Sequence, residues 1–103
     1  MITGIELIAA ERDRQLGLLG YGAEHDQGHE DDALAKAGAW YALDAKTRAQ
    51  IQLQNDPRFD APNLDIWPDG WRFRGNTSRI RELQKAGALI AAEIDRLLAR
   101  GDR

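Results

Sequence analysis

The sequence predicts a small all-α protein: a bundle of three main helices plus one short helix, with a long tryptophan- and proline-containing loop before the last helix. Capping signals stand ahead of the helical stretches, alanine-rich segments carry strong helical propensity, and apolar residues in the last stretch recur at alternating intervals of three and four. With 103 residues, 43% of them apolar, residues 1–103 make one domain with one core.

Thr3-x-x-Glu6 has the spacing of a capping box, so a first helix should begin near residue 4. Its stripe runs Ile5, Ile8, Arg12, Leu16 and Leu19, which puts Glu11, Arg12 and Gln15 on or beside the buried face. Polar groups there need partners, unless they border the core and reach out to water. Gly20-Tyr21-Gly22 should end this helix. Asp31 and Asp32 supply an N-cap and favourable charge for a second helix, Ala33 to about Leu43, whose inward stripe is Leu34, Ala37, Gly38 and Tyr41 with Trp40 beside it.

Asp44 can cap a short third helix, Ala45 to about Gln54, anchored by Ile51 and otherwise polar, hence peripheral. Residues 55–76 contain all three prolines and two of the three tryptophans without helical or alternating periodicity. Asn76, Thr77 or Ser78 caps the last helix, which runs to about Ala99 and stops at Gly101. Its stripe, Ile80, Leu83, Gly87, Ile90, Ile94 and Leu97, suits the seam of a helical bundle. Lys-Ala-Gly-Ala occurs at 36–39 and again at 85–88, so small residues on both helices would let the second and last approach closely.

Composition narrows the function. Without cysteine there are no disulfides and no thiolate metal sites, leaving His, Asp and Glu as ligands. The N-terminus lacks the pattern of a signal peptide, and no apolar run approaches the ~20 residues that span a bilayer, so a cytoplasmic protein without membrane partners is expected. A net charge of −3 disfavours duplex nucleic acid, although Arg72, Arg74, Arg79 and Arg81 form a local acid-free cluster suited to a small anion.

Two stretches carry candidate chemistry. Gly20 to Glu30 holds both histidines, His25 and His29, four apart, with Asp26 between them and Tyr21 ahead. Those imidazoles with Asp26 or Glu11 could hold a divalent metal. Gly28 and the absence of a His-Glu-x-x-His order argue against that arrangement. In the alternative, the histidines donate hydrogen bonds, Asp26 orients one of them or pairs with Arg12, and Glu11, Arg12 and Gln15 find partners in the loop. Trp67-Pro68-Asp69-Gly70-Trp71, followed by the arginines, is the second. Trp67 and Trp71 would stack on a base while Arg79 and Arg81 neutralise phosphate. In the plainer alternative, the tryptophans plug the end of the bundle and the arginines stay solvated.

The blocks Leu7-Ile8-Ala9-Ala10-Glu11-Arg12-x-x-Gln15, Glu24-His25-Asp26-x-x-His29, Trp67-Pro68-x-x-Trp71 and Lys85-Ala86-Gly87-Ala88-Leu89-Ile90-x-Ala92-Glu93-Ile94 together resemble a family of small phage and prophage proteins to which no function is usually assigned. The resemblance spans most of the chain apart from residues 44–63. It implies a phage-encoded protein acting in the bacterial cytoplasm, not a particular activity.

The favoured expectation is a binding protein, not an enzyme. Glu11, Arg12, Gln15, Tyr21, His25, Asp26, His29, Trp67, Trp71, Arg79 and Arg81 would enclose a small anionic nucleotide-like ligand, with no cofactor. In a phage setting the use of such binding is to sequester a nucleotide signal of host immunity. A metal-dependent nucleotide hydrolase, comparable in role to MazG pyrophosphatases, ranks lower because the second helix carries no carboxylate and the first has no Glu-x-x-Glu pair. The third expectation is a module that contacts a host protein or a second copy of itself, and a homo-oligomer is expected in any case.

Overall fold

The computed structural model describes residues 1–18, 32–55, 58, 66–68, 73 and 78–101. Among them are four helices and no strand: α1 (Gly4–Leu18), α2 (Ala33–Ala42), α3 (Ala45–Gln54) and α4 (Arg79–Ala99). The all-α expectation holds, and each boundary lies within a few residues of its sequence signal. None of these helices is long and apolar enough to cross a membrane.

The caps explain the boundaries. At α1 the Thr3 hydroxyl accepts from the Glu6 amide at 3.2 Å, but the Glu6 carboxylate takes the Thr3 hydroxyl proton at 3.0 Å, where a full capping box would take the Thr3 amide. Asp44 caps α3 by accepting from the Thr47 amide, and that bond holds its carboxyl below the ordinary range. Of the three candidates ahead of α4, Ser78 is the cap, accepting from Arg81 at 3.1 Å. Gly101, at φ +93°, closes the other end by bonding to the Leu98 carbonyl. Asp32 departs from expectation: it precedes α2 in a left-handed conformation and its side chain makes no capping bond. Asp31 lies outside the described residues.

Both α1 and α2 pack on α4. Gly38 faces the Ala86 carbonyl and the side chains of Leu89 and Ile90, while the carbonyls of Tyr41 and Leu43 meet Arg79, so α2 runs antiparallel to α4. Leu34, Ala37, Gly38, Trp40 and Tyr41 are buried, as their spacing predicted. The paired Lys-Ala-Gly-Ala motifs do not meet glycine to glycine. Gly87 receives Ile8 of α1 instead, and a methyl group built on it would lie 2.5 Å from Ile8 Cδ1. The partners of α1 fall on both sides of this glycine: Leu7 O bonds to Gln84, Glu11 to Arg81 and Arg12 to Asp95. Helix α1 therefore crosses α4 at Gly87.

Three predicted stripes are corrected. On α1 the buried residues are Glu11, Arg12 and Gln15, whereas Ile5 and Leu16 are exposed. On α3 the buried residue is Arg48, and Ile51 is only half-buried. On α4 the inward side is Glu82, Ala86, Ala88, Ala92, Glu93 and Arg96, while Ile80, Leu83, Ile90 and Ile94 are exposed. Small residues on α4 let the backbones of α1 and α2 come close, and the buried Glu11, Arg12 and Glu82 are stabilised by Arg81, Asp95 and Arg48 from another helix, whereas Glu93 and Arg96 pair with each other on α4.

The crossing predicts a reversal of sign. Gly87→Ala gains about 1 kcal/mol of helix propensity but forces Ile8 aside, so urea denaturation should show a net loss of about 1 kcal/mol. In an Ile8→Ala background the same substitution should stabilise by about 1 kcal/mol.

Candidate functional site

The carbonyls of Trp40, Tyr41, Ala42 and Leu43, at and just past the C-terminal end of α2, lack continuing helical partners, and no basic residue of α2 itself lies in that turn. Two distant arginines fill the role. Arg48 donates to Trp40 O at 3.1 Å and to Leu43 O, and Arg79 donates to Tyr41 O at 3.2 Å, Leu43 O at 2.9 Å and Ala42 O. Glu82 answers both charges, accepting from Arg48 at 2.8 Å and from Arg79 at 3.4 Å. Aromatic rings close over this clasp. The Arg48 guanidinium lies 5.0 Å from the Phe73 ring centre, and Phe73 contacts Trp40, Tyr41 and Trp67.

A second charge cluster joins α1 to α4. The Glu11 side chain is 1% exposed and is gripped by Arg14, through Nε at 3.1 Å and Nη2 at 2.8 Å, and by Arg81 Nη1. Burial raises its pKa, but the bonds from Arg14 and Arg81 outweigh that and hold the carboxyl below its ordinary range. Glu11 in turn raises the pKa of Arg14. Lys85 follows Arg81 by one helical turn, and its ammonium lies 5.5 Å from the centre of the Tyr41 ring. Trp67 packs edge-on against that ring, with centres 5.8 Å apart. Arg14, Glu11, Arg81, Lys85, Tyr41 and Trp67 thus follow one another along α1, α4 and the aromatic rings, with three cations and one carboxylate among these six described residues.

Of the residues singled out in the sequence, Glu11, Arg81 and Trp67 fall on this run. Arg12 lies apart, donating to Asp95 at 3.1 Å, and Gln15 is buried on α1. Arg79 is engaged in the clasp at the end of α2. Tyr21, His25, Asp26, His29 and Trp71 lie outside the described residues. So does all of the proposed metal set except Glu11, and among the described residues no three His, Asp or Glu side chains cluster as metal ligands would. Sequence reasoning passed over Arg14, Tyr41 and Lys85 as site residues. The available signals were Arg14 three residues after Glu11 and Lys85 four after Arg81, each the spacing of helical neighbours.

Comparison with protein-family models, with characterised proteins and with solved structures finds no match to this chain.

The depressed Glu11 carboxyl makes a signed prediction. Its contribution to stability is fully present above the ordinary value of 4.5 and is lost as the pH falls through the depressed one. Glu11→Gln should therefore lower Tm by on the order of 5 °C at pH 7, and the gap to the unaltered protein should close on acidification below pH 4. Thermal melts followed by circular dichroism across this range read both effects.

Proposed function

We propose that the chain is a small binding protein for a nucleotide-like anion, acting by capture and not by chemistry. The observation that supports it is the run from Arg14 through Arg81 and Lys85 to Trp67, which brings two guanidinium groups and an ammonium alongside aromatic rings. Guanidinium groups pair with phosphate oxygens bidentately, and an indole stacks on a purine or pyrimidine. Arg14 and Arg81 each turn only part of their guanidinium to Glu11, with side chains 41% and 29% exposed, so donors remain directed to solvent for a second anion. Glu11 fixes the two guanidiniums in place before any ligand arrives, which lowers the ordering cost of binding.

The resemblance to phage proteins supports a further step: capture of a nucleotide signal of host defence in the bacterial cytoplasm. Sequestration needs affinity alone, and the cation-rich run has no nucleophile with an activating base among the residues that form it.

Calorimetric titration with cyclic dinucleotides, ADP-ribose-derived signals and mononucleotides tests this reading. At least one should bind, with affinity falling as salt rises, and Trp67→Ala should weaken binding about 10-fold through lost stacking. Lys85→Ala should weaken it and flatten the salt dependence. No binding across the panel overturns the proposal.

A further inference from the structure

The outward side of α4 carries Ile80, Leu83, Ile90, Ile94 and Leu98, each between 44% and 64% exposed. They share one face, and the residues completing it, Gln84, Gly87, Ala91 and Leu97, add no charge. On a solvated helix this face would carry Lys, Glu or Arg. Helix α1 crosses the middle of this face, with Ile8 seated on Gly87 and Leu7 O accepting from Gln84, and α2 meets Ile90 at Gly38. Ile5, one turn before Ile8 on α1, and Ile2 are also exposed, at 81% and 67%.

We infer that this face of α4 is a homodimer interface, occupied by the same face of a second copy. Three arguments select that occupant. The alternating three- and four-residue spacing is the seam that packs against a helix with the same spacing, and a two-fold dimer supplies one from the same patch. The area also fits: seven side chains, each at least 44% exposed, present on the order of 450 Å² of apolar surface, against the roughly 500 Å² of apolar area within the ~800 Å² that each partner gives a standard interface. Lastly, the buried apolar set within the chain, among the described residues, is Leu34, Trp40, Tyr41 and four alanines, and the remaining buried side chains are polar or charged. Small domains are often completed by association, and the described interior of this one offers little aliphatic area. On α4, Ile80, Leu83, Ile90, Ile94 and Leu98 are the long aliphatic residues left exposed.

Sedimentation equilibrium of the full chain should give a dimer of about 23 kDa, twice 11.5 kDa, at micromolar concentration. Ile94→Glu should weaken dimerisation by at least ~100-fold. Leu53→Glu, at an exposed leucine on α3, should leave it unchanged. Because the protein has no cysteine, Ile94→Cys gives a second readout that does not depend on destabilisation. Under mild oxidation it should cross-link to a covalent dimer, and Leu53→Cys should not. A monomer at millimolar concentration, the result if another segment of the chain or a foreign partner covers the face, overturns the inference. So does a dimer that Ile94→Glu and Leu53→Glu weaken equally.

Discussion

Two arginines, four helix-terminal carbonyls and one buried carboxylate hold the end of α2 against α4. A helix C-terminus is electron-rich, and its last carbonyls must find donors if the end is buried. Arg48 comes from α3 and Arg79 from the first turn of α4, so satisfying one helix end fixes the positions of two others. Glu82 makes the arrangement sustainable, because an uncompensated guanidinium among Trp40, Tyr41 and Phe73 would be costly to desolvate. The antiparallel course of α2 and α4, the tight turn at Leu43 and Asp44, and the seat of Phe73 all follow from this clasp.

The rest of the interior repeats the same solution with different partners. Glu11 with Arg14 and Arg81 ties α1 to α4, and Arg12 with Asp95 does so further along. Between these charges the contact surface is made of Ala86, Gly87, Ala88 and Ala92, which bring backbones near enough for the long polar side chains to reach across. A face built this way gives specific geometry but modest hydrophobic stabilisation, since alanine buries little area. It also leaves the large aliphatic residues of α4 on the other side, and the interior and the outward face are two consequences of one residue pattern.

Helix positions were legible in the sequence because their signals are local. Thr3, Asp44, Ser78 and Gly101 act on amides or carbonyls within a few residues, and alanine-rich runs need no partner to favour a helix. Which side of α4 faces inward was not legible. A stripe such as Ile80, Leu83, Ile90 and Ile94 marks a face that packs against something, without saying whether that is the same chain. The clasp was hidden for another reason: Arg48 and Glu82 are 34 residues apart and Arg79 and Ala42 are 37 apart, with no periodicity to connect them. At the candidate site, Glu11 and Arg12 stood out as polar residues near an apolar stripe, but their different partners, Arg81 and Asp95, emerge only from the crossing at Gly87.

The claim that paired charges hold these helices together is tested most directly by a double-mutant cycle on Arg48 and Glu82. Urea unfolding of the parent, Arg48→Met, Glu82→Gln and the double variant should give a coupling free energy of about 2 kcal/mol or more, with the double variant less unstable than the two single losses summed. A coupling within about 0.5 kcal/mol of zero would contradict the account.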